Sequence, residues 1–158
     1  MEPRSGCPIT AAVEVLGDRW SLLVLRDIIF ADRRYFRALL TGSSEGIASN
    51  ILADRLKRLL DAGILTRGTA FRGQRAQFSL TEAGIQTVPI IYALGNWGLD
   101  WRAGNDGLRA RQQLMRDEAP AFLEALMQEL RVRHLDAAPE PQHGPGVLER
   151  LDAISRSP

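Results

Sequence analysis

Gly46-IASNILADRLKRLLDA-Gly63 is the stretch on which the reading of this chain turns. Leu52, Leu56, Leu59 and Leu60 follow the i, i+4, i+7, i+8 spacing of a helix that buries one face. The opposite face carries Asn50, Asp54, Lys57, Arg58 and Asp61. The spacing predicts a helix over 47–62, closed by Gly63 and preceded by the turn Gly42-Ser-Ser-Glu-Gly46. An outward face of amide, guanidinium and carboxylate groups has two readings. It is a solvated surface, or it is a surface made to lie in a DNA groove.

Upstream, Cys7-Pro8 opens a helix over 8–16, with Pro8 at a first-turn position where its missing N–H costs nothing. A second helix over 18–30 has Asp18 as N-cap. It is apolar around much of its circumference (Trp20, Leu22, Leu23, Leu25, Ile28, Ile29), which marks it as central to the core. Tyr35 to Thr41 reads as a short third helix, buried through Phe36, Leu39 and Leu40. Downstream the period changes. Residues 64–66 and 76–80 alternate as two short strands around the polar tip Arg72-Gly-Gln-Arg75. A long helix over 81–101 follows, with Val88, Ile91 and Leu94 along one side and Pro89 as a bend or break. After a Gly104–Gly107 linker come helices over 108–117 and 120–134, a loop over 137–146 and a short or frayed end.

Three successive helices before a hairpin, and a further helix after it, make the order of a winged helix-turn-helix, in which the second helix of the motif enters the major groove. The expected fold is mainly α with a small two-stranded β-hairpin wing: a winged helix-turn-helix domain over 6–104 plus a C-terminal helical extension over 105–158.

Charge distribution agrees with that order. The net charge of +1 is uninformative. Residues 55–75, however, hold six basic groups against the single acid Asp61, a local balance of +5. Residues 105–158 balance at −2. A polyanion docks where charge is local. The +5 stretch argues against a winged-helix module that binds only protein. With one cysteine there is no internal disulfide, and a reducing cytoplasm is the expected compartment. No apolar run is long enough for a membrane helix, and no signal-peptide core is visible. His134 and His143 stand far from Cys7, so neither a metal site nor a catalytic pair is expected, and no cofactor.

Ser49, Asn50 and Asp54 are the expected base readers, since Asn pairs with adenine and Asp accepts from cytosine. For Asp54 a salt bridge to Lys57 or Arg58 is the alternative. Arg55, Lys57 and Arg58 are expected on phosphates, and Arg72 and Arg75 flank the wing tip, where a phosphate or a narrow minor groove suits a guanidinium. Arg33, Arg34 and Arg37 either add backbone contacts or solvate their helices. Cys7, at the positive end of a helix dipole, is either a reactive thiol or a small packed residue. Trp20, Trp97 and Trp101 read as core or dimer contacts.

Five segments together carry a family resemblance: CPITAAVEVLGDRWSLLVLRDI (7–28), RRYFRALL (33–40), EGIASNILADRLKRLLDAGIL (45–65), FSLTEAG (78–84) and ALGNWG (93–98). Their uninterrupted order resembles the HxlR-type bacterial transcriptional regulators over residues 6–101. The resemblance implies a homodimer joined through the first helix and the long helix 82–101, bound to a pseudo-palindromic double-stranded operator, most simply as a repressor. Some members of that family sense oxidants or electrophiles through the cysteine matching Cys7. Lacking a second cysteine, this chain could use only a bridge to Cys7 of a second copy, a mixed disulfide or an alkyl adduct. The rival reading is regulation by a bound small-molecule effector, with Cys7 merely packed.

Overall fold

The computed structural model describes residues 6–69, 75–139 and 144–155. Two compact units divide the chain between Gly84 and Ile85. In the first, helices α1 (Pro8–Leu16), α2 (Arg19–Ala31), α3 (Phe36–Gly42) and α4 (Ser49–Asp61) precede strands β1 (Leu65–Arg67) and β2 (Phe78–Leu80). A single turn of helix, α5 (Glu82–Ile85), follows. This is a winged helix-turn-helix, as the element order predicts.

Asp18 starts α2 by accepting from the Trp20 and Ser21 backbone N–H groups at 3.0 and 3.1 Å, which satisfies donors that a helix start leaves open. Val24, Leu25, Ile28 and Ile29 are then fully enclosed, so α2 is the central helix its all-round apolarity predicts. Leu52, Leu56 and Leu59 of α4 complete the core with Leu39, Leu65, Phe78 and Leu80. Phe36 departs from expectation. It is 37% exposed, and α3 buries only Leu39. Helix α1 buries no residue at all.

The strands pair antiparallel as Leu65↔Leu80, Thr66↔Ser79 and Arg67↔Phe78; β1 is shifted one residue past its predicted span, and β2 begins two residues inside its own. Gly63 adopts φ 69° to end α4, a conformation that favours glycine. The Ile64 carbonyl then accepts the Thr81 backbone N–H at 3.1 Å, which carries the hydrogen bonding one position beyond the Leu65↔Leu80 pair. Thr81 Oγ1 also donates to the Gly63 carbonyl at 2.6 Å and accepts from the Gly84 N–H at 3.1 Å. A Cβ on Gly84 would stand 2.3 Å from the Ile64 carbonyl oxygen. The Leu-Thr-x-x-Gly signature is thus one interlocked corner.

The second unit holds α6 (Val88–Trp101), α7 (Asp106–Asp117), α8 (Ala121–Leu135) and α9 (Val147–Ser155). Helix α6 therefore groups with the C-terminal helices, whereas the sequence boundary at 104/105 keeps it with the wing. The predicted long helix is interrupted between Ile85 and Val88, and Pro89 falls in the first turn of α6, where it breaks no hydrogen bond. Helices α6 and α7 pack closely at Gly95, where a Cβ would meet the Gln112 side chain. Gln112 instead donates to Asn96 Oδ1 at 2.8 Å, and Arg116 grips Asp100 at 2.8 and 3.0 Å. Phe122, Leu126, Leu130, Leu148 and Leu151 form this unit's core.

Glu129 is nearly enclosed, and its Oε2 accepts from the Val147 and Leu148 N–H groups at 2.8 and 3.3 Å. The carboxylate thereby caps the start of α9 from a helix distant in sequence. Arg133 donates to its other oxygen at 2.7 Å.

Candidate nucleic-acid interface

Helix α4 is aimed by two ionic braces. Asp27, inside α2 and 5% exposed, accepts from Arg26 Nε and Nη2 at 2.9 and 2.7 Å and from Arg33 at 3.0 Å. Arg26 also reaches both Glu45 oxygens, at 2.7 and 2.9 Å, just before α4. That guanidinium holds the Glu45 carboxyl down to about 2. The second brace joins Arg55 Nε to Asp18 at 2.7 Å, tying α4 to the cap of α2. Burial opposes ionisation of Asp18, but the Ser21 hydroxyl and Arg55 outweigh it and hold the carboxyl below its ordinary value.

Of the residues singled out in the sequence, Ser49, Asn50, Asp54, Lys57 and Arg58 share the exposed face of α4. Arg55 does not stand with them. Its side chain is mostly covered and is engaged by Asp18 and Asp54. Asp54 pairs with Arg55 and not with Lys57 or Arg58, while Lys57 Nζ meets Asp61 at 2.5 Å. Arg58 makes no ion pair among the described residues. Arg75 is exposed on the segment leading into β2; Arg72 lies outside the described residues.

Sequence reasoning missed the braces. Arg33 and Arg34 are structural: Arg33 serves Asp27, and Arg34 Nε donates to the Phe78 carbonyl at 3.0 Å while its own carbonyl accepts the Phe78 N–H at 2.7 Å. Asp27 offered a signal, being an acid within the apolar run Leu22–Phe30. A buried charge demands partners.

The N-cap of α4 is Ala48, which supplies no side-chain cap. A cap of that kind leaves first-turn N–H groups free for an anion such as phosphate.

Cys7 is the N-cap residue of α1 and is exposed. The Thr10 and Ile9 backbone N–H groups, with the Thr10 side chain, lower its thiol below the ordinary value. A lowered thiol carries more thiolate at neutral pH. Alkylation by iodoacetamide should therefore reach half its plateau rate at a lower pH than for free cysteine. Thr10→Ala should move that midpoint upward, by stopped-flow or mass-spectrometric rates. Coincidence with free cysteine would remove the helix-start effect.

A braced helix with an exposed amide-and-cation face, beside a hairpin, defines a DNA-binding winged helix. The chain belongs to the HxlR-like helix-turn-helix family, whose model matches residues 15–106. It is 33% identical over 96 residues to an uncharacterized HTH-type transcriptional regulator of Synechocystis sp., covering 60% of this chain and 70% of that protein. Similarity to an uncharacterized HTH-type transcriptional regulator of Mycobacterium tuberculosis, 28% identical, spans 149 residues, 92% of this chain and 91% of the relative. Helices beyond α6 are thus covered in that relative as well. Among solved structures, PA1607, a candidate transcription factor, matches at TM-score 0.58 and 32% identity over 65% of this chain and 70% of that one. Reduced YodB, a transcriptional regulator of B. subtilis, matches at TM-score 0.51 and 25% identity over 65% of this chain and all of that one. The protein is a DNA-binding transcriptional regulator and not an enzyme. No helix among the described residues is long and apolar enough to cross a membrane.

Proposed function

We propose that the protein is a homodimeric cytoplasmic repressor that binds a pseudo-palindromic operator through α4 and responds to electrophiles or oxidants at Cys7. The observation that carries the DNA contact is the exposed set Ser49, Asn50, Asp54, Lys57 and Arg58 on a helix braced from behind. Asn50 and Asp54 read base edges near the start of the helix, while Lys57, Arg58 and, from the wing, Arg72 and Arg75 hold phosphates. Arg55 holds the helix in place. Residues 6–104 form the family domain, and 105–158 the helical extension.

Support for the dimer comes from α6. Ile90, Leu94, Trp97 and Trp101 are 42, 49, 54 and 69% exposed, and their alternating spacing of four and three is that of a helix–helix seam. Ile9 and Val13 of α1 are exposed too, at 74 and 57%. Apolar stripes of that kind mark surfaces meant to be covered, here by a second copy. Two α4 helices would then enter successive major grooves about 34–36 Å apart.

At Cys7 the thiolate sulfur would bond to an electrophilic carbon of, for example, a quinone, whose reduced oxygen takes a proton from water. The adduct would shift α1 and change the spacing of the two α4 helices. YodB, to which this chain is similar, is known in a reduced form, which favours a redox-responsive reading here. Cys7→Ser should abolish induction by quinones; retained induction would sink the thiol mechanism.

DNA binding is tested on the segment upstream of the protein's own coding region, against random duplex, over a salt series. Arg58→Ala should weaken binding to every sequence and lower the salt slope by about 1. Asn50→Ala should lose preference at one base position, at about 1–3 kcal/mol. If both variants bind like the parent, α4 is not the reading helix.

A further inference from the structure

We propose that the cleft between α3, α4 and the base of the wing binds a small aromatic carboxylate, and that its occupation excludes DNA from α4; the second half rests on the DNA-binding face proposed above. The cleft has a volume of about 650 Å³, within the range of about 300–1,000 Å³ of small-molecule sites. Its floor is apolar, with Phe36, Leu56 and Phe78 among the lining residues. Phe36 is the aromatic that the sequence assigns to the core and that the structure leaves exposed.

Its rim is cationic. Arg37 comes from α3, Arg67 from β1 and Arg75 from the chain entering β2. These three make no ion pair among the described residues. The lining contains one acid, Asp61, and it is engaged by Lys57 at 2.5 Å. Three arginines thus line a cleft with an apolar floor, and its one carboxylate is already engaged. The Arg67 guanidinium already lies 6.0 Å from the Phe78 ring centre, an approach suited to a flat ligand with a charged edge.

The two halves of the site select together. An aliphatic carboxylate would leave the aromatic floor wet, and a neutral ring would leave the arginines unmatched. A DNA phosphate carries the charge but no apolar body to cover Phe36. An aromatic carboxylate meets both demands, with its carboxylate in the fork of an arginine. Lys57 belongs to the cleft lining and to the exposed face of α4, so a ligand there competes for the surface that DNA needs.

Calorimetric titration of the full chain with 2-naphthoate tests the site, with acetate and 2-naphthalenemethanol as charge-only and ring-only controls. Saturable binding of naphthoate alone is expected, weakened about tenfold by Arg37→Ala and unchanged by Arg58→Ala. Equal binding by Arg37→Ala, a match by either control or no binding would overturn the site. In a parallel arm, naphthoate should raise the apparent Kd for operator DNA in the parent and much less in Arg37→Ala. Naphthoate binding without that rise would overturn exclusion and leave the site standing. Failure of the parent to bind DNA at all would strike the proposed function, while the calorimetry would still decide the cleft.

Discussion

Asp27→Ala should lower the unfolding free energy by about 3 kcal/mol, read from urea denaturation. Asp27 is enclosed within α2 and accepts three hydrogen bonds from Arg26 and Arg33. Removing it leaves two guanidinium groups gathered around an emptied site. Both arginines keep about a third of their side chains in water, so the cost lies at the lower end for a broken buried pair. Glu45→Gln should cost less, because Arg26 retains Asp27. Acid tests the Arg26–Glu45 link directly. The Glu45 carboxyl is depressed from 4.5 to about 2, so its contribution is complete above 4.5 and is lost as pH falls toward 2. A flat stability profile for the parent across that window would contradict the Arg26–Glu45 brace.

Glu129→Ala should cost about 2–4 kcal/mol and act mainly on α9. The substitution deprives the Val147 and Leu148 N–H groups of their acceptor and frees Arg133. Val147, Leu148 and Leu151 are buried only while α9 stays docked. Hydrogen exchange should therefore accelerate over 147–155 well before α2 or α4 respond. Uniform acceleration throughout the chain would instead mean that the cap supports the whole fold.

Element order was legible because hydrophobic period distinguishes these segments sharply. The leucine spacing of 52, 56, 59 and 60 requires a helix, and the alternation around Phe78 requires a strand. The braces were not legible, because they join residues far apart in sequence whose pairing depends on geometry. Arg55 reads as one more outward cation in a basic helix, yet only folding brings Asp18 to its side. Glu129 likewise counts as a surface acid until α9 is placed beside it. Phe36 failed in the opposite direction. Apolar character predicts burial, but a helix as short as α3 has too little face to bury both Leu39 and an aromatic three residues earlier. The outward set Ser49, Asn50, Asp54, Lys57 and Arg58 was legible as a face of α4, because its spacing lies within one helical segment.

Trp97 and Trp101 stand largely in water on α6, whereas Trp20 is half-covered beneath the Arg19 guanidinium, 4.7 Å from its ring centre. Two of the three indoles in the chain therefore sit on the apolar stripe itself. Their emission should be red-shifted in the lone chain and move to the blue when that stripe is covered. Dilution of an assembled sample would reverse the change, and the concentration at its midpoint would give the dissociation constant. The association proposed above would thus have an optical gauge within the chain, read without a label.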